Sequence, residues 1–397
     1  MRQTAAVAGS SDTLVAPEPI VEGREPKTVA SSRLTSLDVF RGATIAAMIV
    51  VNNPGNSSPY SALSHSAWNG WTPTDLIFPF FLLIVGVSLV LSFRARLQRG
   101  ESKRDLLLHS LRRSVLLFLI GLLLNFSLPL ATWRIPGVLQ RIALCYLGAA
   151  VITLYATARA RLAWIAGLLV GYWALLRFIP VPGYGLPGSD VPLLDPEGNL
   201  VAWLDRLIIP GRLFEVTRDP EGLLSTLPAI ATVLLGVATG EWLQSARSML
   251  RKAGGMVLAG VALLCAGELW EIWLPINKKM WTSSYVLFTA GAALVCLALC
   301  YWVIDLRRWR AWSKPFVILG MNAITAYVFS EVLAIALWRT HVHDGRRLLT
   351  LQDYLYSALF SGIQPAALAS LAYSLSFTFV CFLPLWWMYR RKIFLKI

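Results

Sequence analysis

One histidine, His65, lies in a polar stretch from Asn52 to Thr74 that separates two apolar runs, residues 37–51 and 75–93. Imidazole changes charge nearest neutrality, so a histidine among Asn52, Asn53, Trp68, Asn69 and Asp75 is equipped to relay a proton or to accept an acyl group. The run Trp71-Thr72-Pro73-Thr74-Asp75 also reads as a helix start. Thr72 fits the N-cap, Pro73 the first helical position and Asp75 the third, where a carboxylate answers free N–H groups and meets the positive end of the helix dipole. Asp75 is therefore open to two uses, as helix cap and as imidazole partner, and both can hold at once.

A second pair, Asp38 and Arg41, stands three residues apart at the start of the first apolar run. That spacing suits an ion pair on one helix face; it also suits an arginine reaching for the phosphate of a ligand. Asn125, Arg134, Gln140, Arg141, Glu268, Glu271, Asn322 and Glu331 lie in or beside other apolar runs. Polar groups are costly in hydrocarbon, so these are expected to face one another or a wet cavity.

The elements that must hold these groups are membrane helices. Of the 397 residues 56% are hydrophobic and only 15% charged, with 16 Trp and a mean hydropathy of +0.60. A crossing needs roughly 20 apolar residues, and about ten runs qualify: 37–51, 75–93, 114–128, 138–157, 162–179, 223–243, 254–274, 283–304, 315–338 and 364–389. The expected fold is an all-α polytopic membrane protein. Ten crossings put both termini on one side, together with 24 of the 36 Lys and Arg, in the tail, the 94–113 segment and the clusters near residues 159, 247, 307 and 390. By the positive-inside rule that side is cytoplasmic and His65 faces outward. The net charge of +14 is thus assigned to the membrane, not to nucleic acid.

Residues 1–35, rich in Ala, Ser, Pro and Glu, read as a disordered cytoplasmic tail ahead of a membrane domain over 36–397. The Pro- and Gly-rich stretch 180–222 reads as an extended external loop, and 351–362 as a short amphipathic helix. All five cysteines fall in apolar runs, which suits packing better than disulfides. His341-Val342-His343 reads as a polar loop, and no metal site is expected. Walker, GxGxxG, GxSxG and HExxH signatures are missing from the sequence, so a nucleotide-type ligand has to bind through arginines and helix ends.

The segments LDVFRG (37–42), HSAWNGWTPTDLIFPFF (65–81), RIPGVLQRI (134–142), DPEGLLST (219–226), PINKKMWTSSY (275–285), MNAITAYV (321–328) and RRKIF (390–394) together resemble the heparan-alpha-glucosaminide N-acetyltransferase family of transmembrane acyltransferases. The resemblance runs from Arg33 to Ile397, with different external loops and without the large lumenal domain and leading span of the animal enzyme. It implies that His65 is the active-site histidine, with Asn52 and Asp75 beside it. It also implies that acetyl-CoA on the cytoplasmic side gives its acetyl group to the amine of a glucosamine-type sugar on the far side. Arg41 and Asp38, with Arg134 and Arg141, become candidates for holding the CoA phosphates, and the 94–113 segment follows Arg41 in that role. Asn52 becomes a candidate donor to the oxyanion. A bacterial inner membrane location and a homodimer are further expectations of the resemblance. The rival readings are an amino-sugar permease, which calls for paired broken helices and internal pseudo-symmetry, and O-acylation of a cell-envelope glycan.

Overall fold

The computed structural model describes residues 34–129, 132–344 and 347–395; the expected tail, apart from its last two residues, lies outside them. Thirteen α-helices make up the described fold. They are α1 (Thr35–Asn52), α2 (Ile77–Leu97), α3 (Lys103–Leu124), α4 (Val138–Tyr155), α5 (Ala158–Phe178), α6 (Leu200–Ile208) and α7 (Thr226–Gln244). The chain continues through α8 (Met249–Glu271), α9 (Ser283–Cys300), α10 (Lys314–Met321), α11 (Ala323–Arg339), α12 (Leu351–Leu359) and α13 (Ala366–Arg390). Eight are long and apolar enough to cross a membrane, and α10 with α11, bent against each other, makes a ninth if the pair is counted as one span. The fold is all-α and polytopic, as the composition demands. α1 falls outside that set, because Asp38 and Arg41 dilute its apolar character, yet it is packed into the bundle beside α2, α10 and α13.

Helix crossings are set by small residues, which let backbones approach where lipid supplies no hydrophobic drive. A Cβ on Gly42 of α1 would stand 1.8 Å from the Phe316 carbonyl oxygen, and one on Gly320 of α10 would stand 2.0 Å from that of Asp38. This contact fixes the turn of α1 that carries Asp38 and Arg41. Gly86 of α2 and Gly236 of α7 meet equally closely, within 2.0–2.1 Å of opposing carbonyls.

Several expected boundaries need correction. The run 315–338 is not one helix: α10 and α11 meet at Asn322 with a bend of 74°. Asn322 stands at the break and bonds the chain beyond α13 there. Asn322 Nδ2 donates to the Ile393 carbonyl (3.2 Å), and its Oδ1 accepts from Leu395 N (3.1 Å). α3 begins eleven residues before the apolar run, where Ser102 accepts from Asp105 N (3.2 Å) and Asp105 answers the Ser102 N–H (3.0 Å). His341–Asp344 pairs antiparallel with Arg347–Thr350, so the expected loop is a hairpin. The 180–222 stretch encloses α6, capped by Asn199, whose Oδ1 accepts from Ala202 N (2.8 Å). Residues 351–359 form the expected short helix, α12.

Candidate active site

The loop after α1 is shaped by its own hydroxyls. Thr74 Oγ1 donates to the Ala62 carbonyl (3.0 Å) and Thr72 Oγ1 to the Ser64 carbonyl (2.7 Å), folding the segment back on the start of α2. Asp75, with no exposed surface, closes this turn. Its Oδ2 accepts from Ser66 N (3.0 Å) and Thr72 N (3.0 Å), with Thr72 Oγ1, whose one proton goes to Ser64, 3.1 Å away. Its Oδ1 lies 2.7 Å from His65 Nδ1. A carboxylate accepts only, so this contact selects the tautomer with hydrogen on Nδ1 and leaves Nε2 as the base. The His65 side chain is 46% exposed. Asp75 thus serves as turn closure and imidazole partner together.

A second loop, 275–282, completes the site. Gly70 N donates to the Ile276 carbonyl (2.8 Å), and Asn277 Nδ2 donates to Asn69 Oδ1 (3.0 Å). Within this loop Asn277 N donates to Thr282 Oγ1 (3.0 Å) and Met280 N to Asn277 Oδ1 (2.9 Å). The closed turn holds Trp281 at φ +52°, a left-handed backbone costing about 1–3 kcal/mol for a side-chain-bearing residue. Trp281 turns into the core, ring to ring with Phe78 and Tyr285, and its indole N–H donates to Thr232 Oγ1 (3.2 Å). Lys278 turns the other way. Its Nζ lies 2.8 Å from His65 Nδ1, 3.2 Å from Nε2 and 3.4 Å from Asp75 Oδ1. Burial pushes the Lys278 ammonium below its usual range, with Asp75 and Glu221 opposing. Nothing near His65 in sequence announces this lysine. The available signal is a basic pair, Lys278-Lys279, on the side of the bundle poor in positive charge.

None of the other expected site residues hydrogen-bonds His65 among the described residues. Asn52 is exposed at the last residue of α1 and makes no side-chain hydrogen bond among the described residues. Arg134 grips Asp219 at 2.6 and 2.7 Å and Glu221 at 2.5 Å. Arg141, 1% exposed, lies over the Trp281 ring at 5.4 Å and donates to the Gly222 carbonyl (2.9 Å) and Ser225 Oγ (2.5 Å). Both arginines therefore anchor the 219–226 segment against α4.

Arg41 belongs to a different space. A cavity of about 360 Å³ is lined along α2 by Phe78, Phe81, Val85, Ser88, Ser92 and Arg96. These recur every three or four residues on one helix face, so the cavity follows α2 for about 27 Å at 1.5 Å per residue. One end is basic, with Arg41, Arg96, His109 and Arg113; the other, at Phe78, Val138 and Tyr327, lies one helical turn from Asp75. Arg41 bonds Asp38 (3.0 Å), the Gly320 carbonyl (3.2 Å) and Ser88 Oγ (2.7 Å), while Arg113 Nε is buried without a hydrogen-bond partner. The polar residues singled out in or beside the apolar runs divide between this cavity and local partners. Of those singled out in the sequence only Arg41 lines the cavity, whose middle is apolar, because Asn125, Gln140, Arg141 and Asn322 bond nearby carbonyls instead.

An all-helical membrane bundle with an imidazole–carboxylate–ammonium cluster, and with a long cavity that is basic at one end and reaches within one helical turn of the cluster's Asp75 at the other, is the class these features define. The chain belongs to the heparan-alpha-glucosaminide N-acetyltransferase family: residues 33–274 match the model of that family's catalytic region. It is 33% identical over 372 residues to the mouse heparan-alpha-glucosaminide N-acetyltransferase, covering 80% of this chain and 56% of that protein. With the human enzyme of the same name the identity is 35% over 355 residues, 76% of this chain and 53% of the relative. The chain spans about half the length of these curated relatives.

Proposed function

We propose that this protein carries the acetyl group of cytoplasmic acetyl-CoA across the membrane plane to the amine of a glucosamine-type sugar at the His65 end. The observation that carries the reading is the cavity along α2. Its cationic mouth suits the phosphates of CoA, its apolar middle suits a pantetheine arm, and its far end brings a thioester to within one turn of Asp75. Arg41, Arg96 and Arg113 are the residues to which we assign the phosphates, with Asp38 holding Arg41 in place.

At the reacting end His65 Nε2 takes the proton of the acceptor amine, and Asp75 steadies the imidazolium that forms. We favour direct transfer over an acetyl-imidazole, because a ring 46% exposed would give such an adduct up to water. The basic residues crowd the ends of α2 and α13 and the starts of α3, α8 and α10, which supports cytoplasmic termini and an outward His65 in a bacterial inner membrane. Reporter fusions ending at Ser58 and at Gly100 are expected to give opposite sidedness.

The break between α10 and α11 is the one feature in favour of a permease, since transporters use broken helices. The deciding experiment incubates purified protein with labelled acetyl-CoA and a panel of amino sugars and hydroxyl-only glycans. N-acetylated sugar is the expected product. O-acetylated product redirects the acceptor class. Amino-sugar flux in proteoliposomes without acetylation selects the permease.

A further inference from the structure

Acyl transfer through His65 and Asp75 leaves the charge beside them, on the part-buried Lys278, without a task. Lys278 Nζ approaches both imidazole nitrogens, at 2.8 and 3.2 Å. In the ring plane the Cε1–H group stands between those nitrogens, so a cation cannot approach both so closely there. The ammonium therefore sits over the ring face. With Asp75 taking Nδ1 in the plane, the in-plane lone pair of Nε2 stays open to a reactant, and a carbonyl oxygen two bonds from an atom reacting there can turn to Lys278 Nζ. The backbone under Lys278 is fixed by the Asn277–Thr282 closure, and the Asp75 carboxylate at 3.4 Å favours the charged amine.

We propose that Lys278 is a catalytic residue, the cation that stabilises the oxyanion formed at the acyl carbonyl beside His65. The step rests on the acetyltransferase reading above. The acceptor nitrogen bonds to the carbonyl carbon while the C=O π pair moves onto oxygen, which Lys278 meets. His65 Nε2 takes the amine proton, the pair returns from oxygen, the C–S bond breaks, and the departing thiolate receives the proton from His65. Lys278 keeps its protons throughout and lends only its charge. A fixed cation in this position does the work for which Asn52 was the candidate in the sequence, and Asn52 instead ends α1 in an exposed position.

The test is Lys278→Met beside Lys278→Arg, each checked by size exclusion and by acetyl-CoA binding. Lys278→Met is expected to lose about 10²–10³-fold in kcat with KM for acetyl-CoA and acceptor within about threefold of wild type. Lys278→Arg should restore a measurable part of that rate. A merely structural lysine would instead move binding and folded yield. Turnover by Lys278→Met within about threefold of wild type, or a loss matched by loss of acetyl-CoA binding, overturns the proposal. A wild-type protein that transfers no acetyl group removes the acetyltransferase reading first, so the two failures are told apart.

Discussion

Asp75 holds His65 with one oxygen and its own loop with the other. Oδ1 meets His65 Nδ1 at 2.7 Å, and Oδ2 takes the backbone hydrogens of Ser66 and Thr72. The same carboxylate thus orients the imidazole and builds the turn that presents it, so the placing of His65 and local stability are coupled through one buried residue.

That coupling separates two variants. His65→Ala removes a half-exposed side chain and should leave the melting temperature of the detergent-solubilised protein nearly unchanged, while acetyl transfer falls by at least about 10²-fold. Asp75→Asn replaces an acceptor with a donor facing N–H groups, so it should lose both rate and about 1–3 kcal/mol of stability. Equal melting curves for the two variants would show that Asp75 does not hold the turn.

Donor binding should respond at the far end of the cavity. Arg41→Gln and Arg113→Gln are each expected to weaken acetyl-CoA binding by about tenfold, the effect of roughly 1.4 kcal/mol from one charge-assisted hydrogen bond, with acceptor KM unchanged. Because Arg41 also pairs with Asp38 at 3.0 Å, the control is Asp38→Asn with Arg41→Gln. Wild-type affinity in that double variant would reduce Arg41 to an ion-pair residue. Binding is read by calorimetry on the purified protein.

Withholding the acceptor separates the two chemical routes. Direct transfer predicts that labelled acetyl-CoA alone leaves the protein unlabelled. A +acetyl adduct on His65 that forms and decays fast enough for turnover, seen by rapid-quench mass spectrometry, would replace it with an acetyl-imidazole route.

Asp205, on α6 outside the crossings, should give stability a signed pH dependence. Burial pushes its carboxyl up from 3.8 to about 6, with the Leu223 N–H opposing. Oδ1 accepts from that N–H at 3.0 Å, while Oδ2 is buried without a partner. A raised carboxyl favours the neutral form in the folded state. Its contribution is therefore full below about pH 4 and lost as pH rises through about 6, on the order of 2–3 kcal/mol. Relative to Asp205→Asn, the wild-type melting temperature should fall between those limits. Parallel curves for the two proteins would remove Asp205 as the cause.

What the sequence revealed followed from how local the signal is. The Thr72-Pro73-Asp75 helix start and the placing of Asp75 near His65 depend on residues within one turn or loop, and both are legible from spacing alone. Lys278 reaches His65 across 213 positions, through a meeting of two loops that only the packed bundle brings about. The bend at Asn322 is hidden for a related reason: its stabilising bonds come from Ile393 and Leu395, beyond another helix. Arg134 and Arg141 were legible as charges needing partners, but the identity of those partners, Asp219 and Glu221 for one and Gly222 and Ser225 for the other, is a property of the 219–226 segment's path.

The two backbone bonds that Asn322 makes to residues 393 and 395 tie the chain beyond α13 to the wall of the cavity, where Leu395 is itself a lining residue. Handling the protein by that end is therefore not neutral. A purification handle or fluorescent fusion joined just after this segment would lever on the cavity wall, and a reduced donor affinity measured on such a fusion would belong to the handle rather than to the protein.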